Sequence, residues 1–228
     1  MKRFALIFCF LASLTACNKD KRPTVVLLGD SITWGEEPVC EHDRYDTPIT
    51  HYAKKLAKKL VGKGCSAEFD ITKALPQYNF IVMGYHDARA DQLFKDTRAR
   101  PKQMHGENHV AEAIALKPDM VVVLAGTNDM KQKMPPEFTA ERVRAIRKAF
   151  NDAGIRVAVA TVPIGTGFDR QALDNLNKGL GAEIDYYSVT QVNGEQKQGL
   201  FNDGIHPNAA GYEVMLPELK RALEKALR

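Results

Sequence analysis

Three short polar blocks of this sequence hold side chains that could carry out chemistry together. Ser31 follows the apolar run TVVLL within the block GDSI, and Asn128 lies in the block GTND after a second apolar run. Asp203 and His206 lie in the block DGIHP near the C-terminus. Open α/β sheets place their reactive groups beyond the C-terminal ends of buried strands. The blocks therefore predict a nucleophile, an oxyanion donor and an acid–base pair at one sheet edge.

A serine, a histidine and an aspartate can form a relay for nucleophilic attack. A serine hydroxyl is a weak nucleophile, so Ser31 needs an adjacent base. The His206 imidazole can take the Ser31 proton and return it to the leaving group. Asp203 stands three positions before His206, a spacing that lets both side chains face the same way in a helical turn. A lone serine is typical of a turn or a helix cap, and a lone histidine of a structural or surface position. The combination of these residues favours catalysis.

The block around Asn128 has two interpretations. Its side-chain NH2 can reach a developing negative charge, with the backbone N–H of Ser31 as a second donor. The sequence GTND is also good turn chemistry, so a capping role for Asn128 is the alternative. We expect the aspartates of these blocks, Asp30 and Asp129, to hold the surrounding loops by hydrogen bonds.

The order and sequence of the three blocks resemble the SGNH (GDSL) hydrolase family, which consists largely of serine esterases and lipases. The resemblance covers most of residues 24–215. It implies a Ser31–His206–Asp203 mechanism, an oxyanion hole that includes Asn128, and no cofactor. It also implies a flavodoxin-like parallel sheet of about five strands. The motifs WG after the serine and DQL at residues 91–93 resemble the arylesterase and carbohydrate-esterase branches.

The sequence departs from this family after the second apolar strand. Members often have two glycines three positions apart there, and the second donates its N–H to the oxyanion. Here Gly84 is present, but Asp87 stands at the second position. The role needs only a backbone N–H, so either Gly84 or Asp87 can fill it; Gly84 is slightly favoured, and Gly106 is a remote third option.

Apolar runs and amphipathic stretches alternate along the chain. Continuous runs of Val, Leu and Ile predict parallel strands that are covered on both faces. These strands are expected at 24–28, 79–83, 119–125 and 155–161, with a weaker one at 184–188. Helices are expected at 50–61, 110–115, 136–153, 170–179 and 209–227. The alternation predicts a three-layer α/β/α sandwich.

Composition excludes several classes of function. The net charge of +4 falls to about +2 once Lys2 and Arg3 leave with the predicted signal peptide, so there is no nucleic-acid footprint. The histidines show no zinc-like spacing with a third ligand, and we expect no metal. No glycine-rich phosphate loop is present. The family resemblance implies that the substrate is a small-molecule, glycan or lipid ester, and we expect the protein to be a monomer.

The N-terminus predicts an envelope protein. A basic start and a short apolar segment indicate a secretory signal, because spanning a bilayer takes about 20 residues. The segment ends in LTAC, which looks like a lipobox with Cys17 as the lipidation site; an ordinary signal peptide is the alternative. Domains are then 1–17 (signal), 18–23 (tether) and 24–228 (catalytic). The expected location is the bacterial cell envelope, lipid-anchored on the periplasmic side or in the outer membrane.

Two cysteines remain in the mature chain outside the lipidation site. Cys40 and Cys65 form an even pair in an oxidising compartment, which predicts a disulfide; two unrelated thiols are the alternative.

These observations predict a serine esterase that hydrolyses an O-acetyl, aryl or short acyl ester through an acyl-enzyme on Ser31. The alternatives are an acyltransferase or a lysophospholipase that uses the same site, or a non-catalytic surface lipoprotein.

Overall fold

The computed structural model describes residues 22–34, 69–95 and 108–228. The strands in these ranges are β1 (Thr24–Gly29), β2 (Asn79–Gly84), β3 (Met120–Leu124) and β4 (Arg156–Val159). They form one parallel sheet in the order β2-β1-β3-β4. A separate antiparallel hairpin consists of β5 (Gln191–Val192) and β6 (Glu195–Gln196).

Helices cover both faces of the sheet. They are α1 (Ser31–Trp34), α2 (Ile71–Ala74), α3 (His109–Ala115), α4 (Thr127–Lys131), α5 (Pro136–Asp152), α6 (Arg170–Leu180), α7 (Tyr186–Thr190) and α8 (Ala209–Ala226). Polar caps start several of them, as the sequence chemistry requires. Asp169 accepts a hydrogen bond from the Ala172 N–H before α6, and Asn208 accepts one from the Gly211 N–H before α8.

Alternate residues of the strands pack in two separate hydrophobic cores, one on each face of the sheet. Val26 and Leu28 of β1 pack on one face with residues of α5 and α6, whereas Val25 packs on the other face with residues of α8. Successive side chains of a strand point to opposite faces, so a strand with a core on each side must be apolar throughout. The unbroken apolar runs of the sequence are the consequence.

The three-layer α/β/α fold predicted from the sequence is confirmed. Four of the expected strands and four of the expected helices form within about two residues of their predicted ends. The helix expected at 50–61 lies outside the described residues.

The weaker strand expected at 184–188 does not form. Ile184 makes an isolated parallel bridge to Ala160, and the chain then turns into α7. The Asp185 carboxylate accepts a hydrogen bond from the Ser188 N–H, which caps α7 and ends the extended backbone after one residue. The parallel sheet therefore has four strands in the described part of the chain, rather than about five.

The register of the sheet brings the strand ends together. Gly29 at the end of β1 lies opposite Gly84 of β2 on one side and Leu124 of β3 on the other. The segments that follow these three residues must therefore emerge side by side at the carboxyl edge of the sheet. A Cβ at Gly29 would lie 2.1 Å from the Leu124 carbonyl oxygen, so this close approach requires glycine.

Candidate active site

Ser31 stands at the first position of α1, immediately beyond β1. Its exposed fraction is 3%, and the preceding Asp30 is fully buried. The Asp30 Oδ1 atom accepts a hydrogen bond from the Ile32 N–H at 3.0 Å, which stabilises the sharp change from strand to helix. Tyr212 of α8 donates its hydroxyl proton to the Ile32 carbonyl at 2.8 Å. The nucleophile candidate is thus fixed by the sheet and by two side chains around α1.

Asp203 and His206 belong to a tight turn that precedes α8. Asp203 Oδ1 accepts hydrogen bonds from the backbone N–H groups of Ile205, at 2.9 Å, and His206, at 2.8 Å. Its other oxygen, Oδ2, lies 2.7 Å from His206 Nδ1. One carboxylate therefore shapes the turn and orients the imidazole within it.

The structure joins the separate blocks into one relay. Ser31 Oγ lies 2.9 Å from His206 Nε2, although the residues are 175 positions apart. An ionised carboxylate only accepts hydrogen bonds, so His206 Nδ1 carries the proton that faces Asp203. In a neutral imidazole Nε2 is then an acceptor, and the Ser31 hydroxyl donates to it. This arrangement allows His206 to remove the hydroxyl proton of Ser31.

The two carboxylates nearest the relay have opposite pKa shifts. Burial raises the pKa of Asp203, but the hydrogen bonds from the backbone N–H and the imidazole of His206 outweigh it, and the pKa lies below its ordinary value. Burial raises the pKa of Asp30 to about 6, against the lowering effects of the Thr127 hydroxyl, the Ile32 N–H and His206. Among the described residues, Asp30 Oδ2 and Thr127 Oγ1 have no hydrogen bond of good geometry.

Asn128 lies at the start of α4, beyond the end of β3, and is 4% exposed. Its Nδ2 donates one hydrogen bond to the Ala88 carbonyl at 3.1 Å. A side-chain amide has two N–H groups, so the second can serve an oxyanion. The capping alternative does not describe this contact, because α4 is preceded by Gly126 and has no side-chain cap. One N–H of Asn128 instead holds the loop at Ala88, and the other is available to a ligand.

Asp129 holds the same loop from the adjacent position. Its Oδ2 accepts a hydrogen bond from the Ala90 N–H at 3.0 Å, and its Oδ1 accepts one from the Thr139 hydroxyl at 3.1 Å. Burial raises its pKa despite these hydrogen bonds. The expected scaffold role of Asp30 and Asp129 matches these contacts.

Both candidates for the remaining oxyanion donor lie at this edge. Gly84 ends β2 opposite Gly29, and Asp87 lies in a turn closed by a hydrogen bond from the Ala88 N–H to the Tyr85 carbonyl. Asp87 has φ = +54°, a left-handed conformation that favours glycine. The aspartate at the glycine position thus keeps a glycine-like backbone.

Several predictions of the sequence fall outside the described residues. These are the lipidation site Cys17, the disulfide pair Cys40 and Cys65, and the remote donor option Gly106. Within the described ranges, no three His, Cys, Asp or Glu side chains are grouped so that they could hold a metal ion. Among the helices described, none is both long enough and apolar enough to cross a membrane.

Sequence reasoning missed the contacts that hold the relay from outside. Tyr212 of α8 is one, and its pattern within an amphipathic helix gives no signal of the hydrogen bond to Ile32. Such a contact depends on how α8 packs against α1, which local sequence does not encode.

The chain matches a known family over most of its length. Residues 27–214 match the sequence model of the GDSL-like Lipase/Acylhydrolase family. No curated protein matches the chain.

Solved structures share the fold at low sequence identity. A GDSL-like lipase from Bacteroides thetaiotaomicron has a TM-score of 0.60 and 18% identity, with 90% of this chain and 89% of that chain covered. A carbohydrate esterase family 3 protein from Talaromyces cellulolyticus has a TM-score of 0.58 and 17% identity, over 89% and 97%. A variant of an acetyl-xylooligosaccharide esterase from Geobacillus has a TM-score of 0.55 and 15% identity, over 87% and 93%. These similarities support the α/β fold.

Proposed function

The chain belongs to the GDSL-like lipase/acylhydrolase family, and on that premise we propose that it hydrolyses a carboxylic ester through an acyl-enzyme on Ser31. The membership confirms the resemblance drawn from the three motifs and the expectation of an ester hydrolase. The observation that carries the mechanism is the pair of contacts through His206, which lies 2.9 Å from Ser31 Oγ and 2.7 Å from Asp203 Oδ2.

In the proposed first step, His206 Nε2 takes the Ser31 proton as Oγ attacks the ester carbonyl carbon. The carbonyl oxygen becomes an oxyanion, which the Ser31 N–H and the free N–H of Asn128 stabilise, together with an N–H from Gly84 or Asp87. Asp203 stabilises the imidazolium that forms. The tetrahedral intermediate collapses, His206 protonates the departing alkoxide, and the acyl group remains on Ser31.

In the second step, water replaces the alcohol. His206 removes a proton from the water as its oxygen attacks the acyl carbon, and a second oxyanion forms in the same place. When this intermediate collapses, the proton on His206 passes to Ser31 Oγ. The products are the carboxylic acid and the regenerated serine.

The proposed substrates are O-acetyl, aryl or other short acyl esters. Two observations support this class. The sequence motifs WG at residues 34–35 and DQL at residues 91–93 resemble the arylesterase and carbohydrate-esterase branches. The structural neighbours also include an acetyl-xylooligosaccharide esterase.

The test is the hydrolysis of p-nitrophenyl esters of increasing acyl length by the full chain, beside Ser31→Ala. We expect the highest kcat/KM on acetate, a decline with chain length, and a loss of at least about 10^3-fold in Ser31→Ala. Activity that rises with acyl length would replace the short-acyl proposal with a lipid substrate. Full turnover in a folded Ser31→Ala variant would refute the nucleophile assignment.

We also propose that Cys17 carries a lipid anchor, on the strength of the LTAC motif after a short apolar segment. Cys17→Ala is expected to move the protein from the membrane fraction to the soluble fraction. Unchanged membrane fractionation would refute the anchor.

A further inference from the structure

The turn that contains Asp203 and His206 has hydrogen bonds within itself and receives others from outside. The Asp203 carboxylate binds the N–H groups of Ile205 and His206, and the Asn202 N–H donates to the His206 carbonyl at 2.9 Å. These contacts fix the shape of the turn. They do not fix its distance from Ser31, which belongs to a different part of the fold.

Two donors bind this turn from outside at the Gly204 carbonyl. The Thr166 N–H donates to Gly204 O at 2.7 Å, and Gln196 Nε2 donates to the same oxygen at 2.6 Å. Both lone pairs of that carbonyl are therefore used. Gly204 has φ = +80°, and a Cβ there would lie 2.2 Å from Thr166 Oγ1, so the turn packs closely against the loop after β4.

Gln196 also reaches the buried base of that loop. Its Nε2 donates a second hydrogen bond to the Ile164 carbonyl at 2.6 Å, and Ile164 belongs to the core. Both neighbours are carbonyl oxygens, so the NH2 end of the amide must face them. Each N–H has one acceptor, and the side chain bridges the turn to a buried anchor.

The backbone of Gln196 is itself held in place. It lies in β6, paired with Gln191 of β5, and the next residue donates its N–H to the Thr190 carbonyl at 3.0 Å. Gln191 Oε1 accepts a hydrogen bond from the Gly194 N–H at 2.7 Å, which closes the hairpin. Thr190, at the end of α7, is fully buried. The backbone that carries the Gln196 side chain is therefore held by the hydrogen bonds of the hairpin.

We propose that Gln196 is a positioning residue for His206, which sets the distance between the imidazole and Ser31 by holding Gly204 against the loop after β4. The proposal rests on the proposed function at Ser31. The physical reason is that Asp203 is half exposed and the turn lies outside the sheet, so the sheet register does not locate it. A shift of about 1 Å in a catalytic group can cost about 100-fold in rate.

The test is Gln196→Met in the full chain, which keeps the length of the side chain and removes both donors. Its matched control is Gln198→Met, at an exposed glutamine two residues along the chain. Gln196→Ala provides a second variant should the methionine impair folding. The measurements are kcat and KM on p-nitrophenyl acetate, the unfolding midpoint, and the downfield NMR resonance of the His206 Nδ1–H, assigned by its loss in His206→Ala.

We expect kcat of the Gln196 variants to fall about tenfold to 100-fold with little change in KM. The His206 resonance is expected to shift or broaden in a folded protein, and Gln198→Met to match the wild type. Wild-type kcat with an unchanged resonance would overturn the proposal. So would an activity loss that only follows the loss of folded protein, with an unchanged resonance in the folded fraction.

The resonance also separates this proposal from the proposed function. If the wild type shows no Ser31-dependent hydrolysis, the esterase mechanism fails, whereas the resonance still reports whether Gln196 holds the turn.

Discussion

The two halves of the candidate site are held in different ways. Ser31 and Asn128 follow strands, are 3% and 4% exposed, and inherit their positions from the register of β1 and β3. The Asp203 side chain, in contrast, is 50% exposed, and its turn is held by hydrogen bonds from Thr166 and Gln196. Burial positions one half, whereas these polar contacts and the link to α8, whose Tyr212 binds the Ile32 carbonyl, position the other.

The two aspartates that flank the relay show the consequence of this difference. Asp30, in the buried half, has a pKa raised to about 6 because burial disfavours its charge. In the exposed half, burial is weaker, and hydrogen bonds from His206 hold the pKa of Asp203 below its ordinary value. An aspartate is thus difficult to ionise next to the nucleophile, at Asp30, and easy to ionise next to the base, at Asp203.

After the loss of the nucleophile itself, the largest expected effect is also on the buried half, at Asn128. Asn128→Ala removes the proposed oxyanion donor and is expected to lower kcat about 10^2- to 10^3-fold. It also removes the hydrogen bond to the Ala88 carbonyl, with a loss of about 1 kcal/mol in the free energy of unfolding. Ester hydrolysis and chemical denaturation measure the two effects. Asn151→Ala, at an exposed asparagine of α5, is the control. Wild-type kcat in folded Asn128→Ala would remove the donor role.

Substitutions at two glycines, one in each half of the site, test most directly how the two halves are held. Gly29→Ala would force β1 and β3 apart, and we expect it to lower the free energy of unfolding by about 2–4 kcal/mol. Gly204→Ala would push the turn away from Thr166, with a loss of about tenfold to 100-fold in kcat and of about 1–2 kcal/mol in stability.

Urea unfolding and p-nitrophenyl acetate hydrolysis are the measurements for both glycines. Gly154→Ala is the control, since its φ is +73° and an added Cβ meets nothing within 4 Å. Wild-type kcat in folded Gly204→Ala would mean that the position of the turn does not limit the reaction.

The variant Asp30→Asn tests whether the pKa of Asp30 is raised, in contrast to that of Asp203. Its side-chain oxygen can still accept from the Ile32 N–H, and its NH2 can donate toward Thr127. Because Asp30 is fully buried and its pKa rises from 3.8 to about 6, the variant is expected to be about 2–3 kcal/mol more stable than wild type at pH 8.

The pH dependence of this difference has a definite sign. The native state binds the Asp30 proton more tightly than the unfolded state, so wild-type stability falls as pH rises from about 4 to about 6. The advantage of Asp30→Asn should therefore vanish below about pH 4 and level off above about pH 6. Denaturant unfolding at a series of pH values measures it, beside Asp169→Asn at an exposed helix cap. A constant difference across this range would contradict the raised pKa.

The smallest effect is expected at Asp87. Its left-handed backbone costs an aspartate about 1 kcal/mol relative to glycine, so Asp87→Gly should raise the free energy of unfolding by about 0.5–1 kcal/mol. If this position contributes only its N–H, kcat should stay near the wild-type value. Denaturant unfolding and ester hydrolysis measure these effects. A marked change in kcat would show that the carboxylate itself matters to the reaction.

Local chemistry made much of the fold predictable. The apolar runs for β1 to β4 and the polar residues that cap α6 and α8 act within a few residues, and the predicted positions of these strands and of these two helices were close. The prediction of a weak strand at 184–188 was wrong because Asp185 caps a helix there. The composition of this segment favours a strand, but the helix cap decides its local structure. The helix expected at 50–61 and the disulfide between Cys40 and Cys65 stay predictions.

The sequence by itself determined the identity of the chemical groups, since GDSI, GTND and DGIHP contain Ser31, Asn128, Asp203 and His206 in an order that specified the family. It also placed Asp203 and His206 in one short segment, although that segment is a non-helical turn with Gly204 at φ = +80° rather than the helical turn expected. Tertiary structure alone decided the 2.9 Å contact between Ser31 and His206, the raised pKa of Asp30 and the bridge from Gln196 to Gly204. The physical reason is range: propensity and capping act over a few residues, whereas burial and contacts between distant segments exist only once the whole chain has packed.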